Sequence, residues 1–437
     1  MSSAEHRHDY NIPLMESNNN NDAQKHATDV QAVRVGINDD DNNNDKINNN
    51  DNIQSNTYND FASSFNVQGK KGTYLSYILM ILGMIASIIA NIYTHDNDFF
   101  NNWLIGCPSG LDQKCLSSQV ILRFSFALVV IFSINLIGTT ISINFYDKYW
   151  IMKYLSFCGI VTGFYWASPN VFNLHGYAWF ARIASFLFLI LQQIILLDFA
   201  YCWNEKWVAK SEDDPENGKK YLIGLLIVAI FLFAISISGI GIMYHFFSNC
   251  ANNNVIISLT LVFGFLATIF QLFFTDHGSI LTSSIIFTYS TYICYSSISL
   301  NPNSFCNPTL STEYQNFSVV VGMALTVISI TWATSSTISK VPGASVNVQE
   351  ENSVDRVMSL RSVLQEISII FILASAYYSM VLTNWATLKS NQISSDPRTG
   401  TDSMWLQASA LFICIALYIW SLVAPKLFPD RDFSGYN

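Results

Sequence analysis

The sequence has few charged residues for its length, and this absence excludes an ordinary soluble domain. Of its 437 residues, 12% are Asp, Glu, Lys or Arg, whereas soluble globular domains average about 25%. The formal net charge of -9 does not indicate an acidic binding surface, because residues 1–72 contain eleven of the acidic residues and only six basic ones. The low charge instead indicates a chain that faces lipid.

Motifs for nucleotide, metal and nucleic-acid chemistry are absent as well. The sequence has no GxxxxGK[ST] phosphate loop, no HExxH motif and no paired CxxC, and three of its seven histidines lie in the N-terminal segment. It has no basic cluster suited to nucleic acid and no nucleophile with a base at a useful spacing. We therefore expect no cofactor, no metal, no nucleic-acid partner and no enzymatic activity.

Ten apolar stretches are each about long enough to cross a bilayer. A hydrocarbon core of roughly 30 Å needs about 20 apolar residues in a helix, since lipid offers no partners to unpaired backbone groups. Only Asp276, His277 and Gly278 interrupt the sixth and seventh stretches, so a single buried hairpin is the alternative there. We predict an all-α integral membrane protein with about ten transmembrane helices, at 73–93, 120–145, 150–168, 178–207, 221–247, 255–274, 279–300, 317–339, 362–388 and 403–424.

The polar segments between and beside these stretches suggest a domain organisation. Residues 1–72 contain Asn-rich runs and few aromatic residues, so we predict a disordered cytoplasmic tail, with a sorting or partner-binding tail as the alternative. The tail contains no cleavable signal peptide, and the first span is expected to insert uncleaved. The remaining divisions are a first group of helices with an outer cysteine loop (73–177), a long tilted helix (178–211), a second group (212–339), a cytoplasmic loop (340–361) and the last two helices with a short cytoplasmic C-terminus (362–437).

Basic residues and cysteines both suggest how the chain is oriented. With the N-terminus inside, the outer side holds only Lys114, Arg123, Arg182, Lys389 and Arg398 among the basic residues that follow the tail. Positively charged residues favour the cytoplasmic side, so both termini are expected there, in the plasma membrane or an endomembrane. No cysteine lies in a predicted inner loop, which agrees with the persistence of disulfides outside the cytosol.

Four cysteines and one glycosylation motif fall in the predicted outer loops. Cys107, Cys115, Cys250 and Cys306 allow three pairings. Cys107 with Cys115 is the most local pair and is the predicted disulfide, with free or differently paired thiols as the alternative. Asn316 is the only Asn-x-Ser/Thr acceptor, although the next helix starts almost immediately after it.

The stretch from Tyr177 to Ser211 predicts one helix that is longer than the membrane is thick. It contains no Pro or Gly, and some 33 residues at 1.5 Å each make a rod of roughly 50 Å, which must tilt or project. Asp198 lies inside it and shares a face with Glu205. Because a carboxylate among acyl chains is costly, we expect Asp198 to make an interhelical ion pair or hydrogen bond, with a polar path for lipid headgroups as the alternative.

Several motifs resemble the serine incorporator (Serinc) family. LLDFAYCWNEKW at 196–207 looks like the family's signature, and the similarity includes ILRFSFAL at 121–128, SSIIFTYSTYICYSSISLNPNSFCNP at 283–308, LTNWA at 382–386 and MWLQASALFICIALYIWSLVAPKLFPDRDFS at 404–434. The resemblance implies ten transmembrane helices in two bundles around one long diagonal helix. The Asn-rich tail departs from the cysteine-rich start of many family members.

Small and hydroxylated residues follow one face of several predicted spans. Such faces serve helix packing, and the alternative is a groove that lowers the desolvation cost of moving a lipid headgroup through hydrocarbon. The seventh span has Ser283, Ser290, Cys294 and Ser297, with Tyr289, Tyr292 and Tyr295 nearby. The residues singled out for a lipid groove are Ser238, Gly241 and His245 in the fifth span and Ser318, Gly322, Thr326 and Ser329 in the eighth.

The resemblance and these polar faces favour an ATP-independent phospholipid scramblase, which lets phosphatidylserine and other lipids equilibrate between leaflets. Its partners are then membrane phospholipids. The alternative is a carrier or scaffold that helps to incorporate serine into phosphatidylserine and sphingolipids, with serine and lipid-synthesis enzymes as partners. A purely structural protein is a third class, for which changing Asp198 or the Gly322 and Thr326 face would harm folding alone.

Overall fold

The computed structural model describes residues 69–96, 113–165, 169–172, 176–213, 218–274, 279–308, 315–340, 353–386 and 397–427. These residues form helices and short connections without a β-strand, which confirms the all-α prediction. The predicted disordered tail lies outside the described residues up to residue 68, and so does most of the predicted 340–361 loop, from 341 to 352.

Ten long helices account for nearly all of the described chain, and each coincides with a predicted span. Eight of them have the length and composition needed to cross a membrane. The other two are α3, with 16 residues, and α7, whose 19 residues are mostly buried and rich in Ser, Thr and Tyr. The helices are α1 (Lys70–Asp96), α2 (Gln113–Ile141), α3 (Trp150–Tyr165), α4 (Tyr177–Asp213), α5 (Gly218–Phe247), α6 (Ala251–Phe274), α7 (Ile280–Ile298), α8 (Gln315–Lys340), α9 (Ser353–Leu382) and α10 (Pro397–Leu427).

Short helical elements join some of these helices. A five-residue helix, Ile143–Asp147, connects α2 to α3, and 3-10 turns lie at Pro169–Phe172 and Asn384–Ala386. The sixth and seventh predicted spans are separate helices, α6 and α7. The fold is that of a multi-pass, all-α membrane protein.

Two segments predicted as loop and tail contain the first turns of helices. Residues 353–361, predicted as part of a cytoplasmic loop, are the first turns of α9. Helix α1 starts at Lys70, within the segment predicted as the tail, because the carboxylate of Asp147 caps it from the α2–α3 connection. Asp147 Oδ2 and Oδ1 accept hydrogen bonds from the backbone N–H groups of Gly69 at 2.5 Å and Gly72 at 2.6 Å, which have no partner within the helix.

Helix α4 is the predicted long rod, and it is continuous. It extends over 37 residues from Tyr177 to Asp213, a length of roughly 55 Å at 1.5 Å per residue, so it exceeds the hydrocarbon thickness. It packs against α9 on one side and against α5, α7 and α10 on the other. One helix therefore contributes to the cores of two groups of helices.

These groups, named here the first and second bundles, do not follow chain order. The first bundle comprises α1, α2, α3, α8 and α9, and the second comprises α5, α6, α7 and α10. Residues 315–339, which form most of α8, were predicted within the second group but belong by their contacts to the first bundle. One such contact joins α1 to α8, where Tyr77 Oη and Thr331 Oγ1 are 2.9 Å apart. Neighbours are set by side-chain packing between helices, which chain order does not determine.

Candidate functional site: a groove between the two bundles

A groove of about 690 Å³ lies where α5 and α7 of the second bundle meet α8 of the first. All of its lining side chains are uncharged, and most are apolar. They are Phe231, Ala234, Ile235, Ser236, Ser238, Gly239, Ile242 and Met243 of α5, Thr288, Thr291, Tyr292 and Tyr295 of α7, and Val321 of α8. The groove is thus a concave, mainly apolar surface with hydroxyl groups at intervals.

The groove follows α5 for a large part of the membrane thickness. Its lining on α5 runs from Phe231 to Met243, which at 1.5 Å per residue is roughly 18 Å. The hydrocarbon core measures roughly 30 Å. Successive lining residues such as Phe231, Ile235 and Ser238 are three or four apart, as expected for one face of a helix.

Most hydroxyl groups near the groove are already hydrogen-bonded within the protein. Ser236 Oγ and Thr288 Oγ1 lie 2.9 Å apart and join α5 to α7. Thr291 Oγ1 donates to the carbonyl of Phe287 at 2.8 Å. Ser238 is exposed on the groove surface, so its hydroxyl is the one placed to meet a lipid.

The structure brings only part of the predicted α5 face to this groove. Ser238 lines it, but Gly241 and His245 do not. Gly241 is exposed, and a Cβ atom built on it would meet nothing within 4 Å. The exposed ring of His245 lies 4.7 Å from that of Phe246, edge to face, two residues before the end of α5.

The predicted face of α8 is mostly buried and does not line the groove. Thr326 Oγ1 donates to the carbonyl of Gly322 at 2.7 Å, and the Ser329 hydroxyl is buried without a protein partner. Gly322 nevertheless borders the site, because the hydroxyl of Tyr292 lies against it. The side chain of Ser318 lies outside the described residues.

The serine face of α7 points away from the groove. Ser297 Oγ donates to the carbonyl of Met404 at 2.8 Å, and Ser283 Oγ lies 2.9 Å from Tyr418 Oη, so both bond to α10. The groove side of α7 carries residues that the sequence prediction missed or only mentioned: Thr288, Thr291, Tyr292 and Tyr295. Their spacing of three and four is the signal by which this face could have been found in the sequence.

Asp198 makes the predicted interhelical hydrogen bond. Its Oδ2 accepts from Trp332 Nε1 of α8 at 2.7 Å. The ring of Phe199 packs edge-on against the same indole at 5.0 Å, and Lys206 Nζ lies 5.8 Å from its centroid. Glu205, predicted on the same face as Asp198, is exposed. Among the residues described, no group of three His, Cys, Asp or Glu side chains is arranged to hold a metal ion.

The disulfide in the structure joins Cys250 to Cys306, with Cα atoms 5.4 Å apart. It links the α5–α6 turn to the segment after α7. Asn253, which is fully buried, supports the same region by donating to the carbonyls of Phe247 at 3.1 Å and Cys306 at 3.0 Å. The predicted partners Cys107 and Cys115 and the acceptor Asn316 fall outside the residues whose side chains are described.

The sequence matches an established family along most of its length. The family model described as "Serine incorporator (Serinc)" covers residues 52–368 and 365–431. The chain belongs to the serine incorporator family. The match begins some residues before α1, and it covers α4 and both bundles.

Individual members of the Serinc family align over similar lengths. A probable serine incorporator of Nematostella vectensis is 27% identical over 361 residues, which is 70% of this chain and 78% of that protein. Serine incorporator 3 of Bos taurus is 26% identical over 74% of this chain and 82% of its own. A probable serine incorporator of Dictyostelium discoideum is 24% identical over 83% of this chain and 95% of its own.

Proposed function

We propose that this Serinc protein is a passive, ATP-independent phospholipid scramblase for phosphatidylserine and other lipids. The observation that carries the proposal is the groove between the bundles, which combines a long apolar wall with hydroxyl groups on α5 and α7. The proposal assigns no catalytic residue and no cofactor to the protein.

The groove suits a lipid whose headgroup moves along protein while its acyl chains stay in the membrane. Transfer of a polar headgroup into hydrocarbon is costly unless its hydrogen bonds are replaced. The exposed hydroxyl of Ser238 supplies such a bond on a surface that runs roughly 18 Å along α5. The uncharged lining favours no headgroup charge strongly, which fits exchange of several lipids in both directions.

The proposed orientation has both termini in the cytoplasm, in the plasma membrane or an endomembrane. The distribution of basic residues supports it, and so does the position of the disulfide. Cys250 and Cys306 lie in predicted outer loops, where an oxidising compartment preserves such a bond. The partners of the protein under this proposal are the phospholipids of the membrane.

Reconstitution into liposomes tests the proposal. Fluorescent phosphatidylserine in the inner leaflet should become accessible to an outside quencher faster than in empty liposomes. Gly239→Leu adds bulk inside the groove, where a Cβ atom would already lie 3.3 Å from Thr291 Cγ2, and should slow exchange. Gly241→Leu is the matched control, because it faces open space two residues away. Exchange no faster than in empty liposomes, or equal slowing by both variants, contradicts the proposal.

The alternative is a carrier or scaffold for serine incorporation, and the names of the relatives favour it: three of them are called serine incorporator or probable serine incorporator. Under this alternative, deletion lowers the labelling of phosphatidylserine and sphingolipids by radioactive serine, and purified protein binds serine. A chain that exchanges lipids in liposomes without binding serine supports the scramblase instead.

A further inference from the structure

Beside the groove, the hydroxyl of Tyr292 on α7 lies against Gly322 on α8. A Cβ atom built on Gly322 would lie 2.4 Å from Tyr292 Oη and 3.1 Å from Val381 Cγ1 of α9. Real Cβ atoms do not approach other atoms at 2.4 Å, so this contact exists only because residue 322 has no side chain. Tyr292 itself lines the groove.

The two helices in this contact are attached to different bundles. On the side of Tyr292, α7 is joined to α5 by the pair of hydroxyls of Ser236 and Thr288, 2.9 Å apart. On the side of Gly322, α8 is joined to α1 through Thr331 and to α4 through Trp332. A change in the separation of Tyr292 from Gly322 therefore changes the separation of two larger packed units, whose helices α5, α7 and α8 all line the groove.

We propose that the contact of Tyr292 with Gly322 sets the width of the groove. With the hydroxyl against the α8 backbone, the walls are held at their present distance. When the contact is released, α8 separates from α5 and α7 and the groove widens. The transport consequence rests on the proposed scramblase function, whereas the structural consequence does not.

The chain offers a compensating pair of substitutions for this test. In Gly322→Ala the added methyl group collides with the Tyr292 hydroxyl, so the helices must move apart or the ring must turn. Tyr292 Cζ is 3.6 Å from the same Cβ position, an ordinary van der Waals distance. Removing only the oxygen, in Tyr292→Phe, therefore removes this collision and should restore the parent spacing in the double variant.

The measurement is the distance between spin labels on α5 and α8. Ketone-reactive labels on introduced residues at Ile237 of α5 and Ile328 of α8 avoid the native cysteines, and both positions are exposed. Pulsed electron spin resonance in liposomes gives the distance distribution. Gly322→Leu provides a larger wedge, Gly241→Ala and Gly241→Leu are matched controls on an open face of α5, and Tyr292→Ala removes the contact without adding volume.

We expect the distribution to shift to longer distances in Gly322→Ala and further in Gly322→Leu, and to return to the parent in Gly322→Ala with Tyr292→Phe. Lipid exchange should rise in the same order. If a Gly322 variant fails to fold, Tyr292→Ala should still broaden the distribution toward longer distances. Distances unchanged in the Gly322 and Tyr292 variants, or a shift in Gly322→Ala that Tyr292→Phe does not reverse, overturn the proposal.

The same samples separate this inference from the function on which its transport part rests. If the distances shift as expected but the parent protein exchanges no lipid, the contact controls the spacing of the bundles and the scramblase proposal fails. If the parent exchanges lipid and the distances do not respond, the scramblase proposal stands and the role of Tyr292 and Gly322 is wrong.

Discussion

Trp332 Nε1 donates a hydrogen bond to Asp198 Oδ2 at 2.7 Å and so joins α4 to α8. Hydrogen bonds to charged groups contribute about 1.5–3 kcal/mol, and polar contacts between membrane helices contribute about 1–2 kcal/mol or less. We expect Asp198→Ala and Trp332→Phe each to lower the thermal stability of the detergent-solubilised protein. Asp198→Asn keeps an acceptor oxygen and should lose less.

A double-mutant cycle isolates this bond. The loss in Asp198→Ala with Trp332→Phe should be smaller than the sum of the two single losses, since both remove the same interaction. Glu205→Ala, at an exposed position of the same helix, serves as the control and should have little effect. Additive losses would show that the two residues stabilise the protein independently.

The disulfide between Cys250 and Cys306 is expected to stabilise the second bundle. It closes a loop with a sequence separation of 56, for which the chain-entropy relation gives about 4 kcal/mol. Replacing both cysteines by Ser should lower the unfolding temperature, whereas Cys158→Ser, at an exposed free thiol, should not. Mass spectrometry of unreduced peptides should recover residues 250 and 306 in one species, and recovery of either cysteine linked to another partner would contradict the pairing.

Arg182 at the start of α4 is expected to hold the turn after α9. Its Nε and Nη2 both donate to the carbonyl of Trp385, at 3.2 and 2.9 Å. Asn384 and Trp385 have φ angles of 49° and 60°, and left-handed conformations of residues other than glycine cost about 1–3 kcal/mol each. Arg182→Ala should lower the unfolding temperature and speed amide exchange at residues 383–386.

Arg182→Lys tests whether the geometry of the guanidinium matters. A lysine ammonium cannot reproduce the fork of two N–H groups, so we expect a stability between those of the alanine variant and the parent. Lys219→Ala removes an exposed positive charge from α5 and is the control. Full stability of Arg182→Ala would mean that the turn is held by the packing of the buried Trp385 ring alone.

Asp147 is expected to control the first turn of α1. Asp147→Ala would leave the N–H groups of Gly69 and Gly72 without this acceptor, and loss of a helix N-cap costs about 1 kcal/mol. Amide exchange should accelerate at residues 69–73 and stay unchanged in the middle of α1. Unchanged exchange at residues 69–73 would contradict the capping role.

The neighbouring Tyr146 is buried, which raises its pKa to about 12, so its phenol stays neutral across the usable pH range.

The helices were predictable from the sequence because the membrane imposes a strong local rule. A segment in hydrocarbon must satisfy its backbone hydrogen bonds internally, so each apolar stretch indicates a helix, and the absence of Pro and Gly after Tyr177 indicated the long rod α4. The ends of several helices, among them α1, α2, α9 and α10, were predicted less well. Asp147 caps α1 from 75 residues away in sequence, and such a contact leaves no local signal.

The site was predictable only in part, since helical periodicity identifies a face but not its neighbour. Ser238 was placed on a polar face and does line the groove, whereas Gly322 and Thr326 share a face that is buried by other helices. Arg123, predicted at the outer side, is 3% exposed and donates through Nε to the carbonyl of Phe164 at 3.0 Å. The partners of polar residues depend on which helices pack together, and the position of α8 in the first bundle was not visible in chain order.

Helices α8 and α9 belong to the first bundle and α10 belongs to the second, so both bundles are completed only late in synthesis. Helices α1, α2 and α3 lack two of their bundle neighbours until α8 and α9 have been made, and α5, α6 and α7 lack one until α10 follows. Neither core can close until residue 382 or later has left the ribosome. A chain that stops before α10 therefore has an incomplete second bundle, in which the faces of α6 and α7 that contact α10 are uncovered.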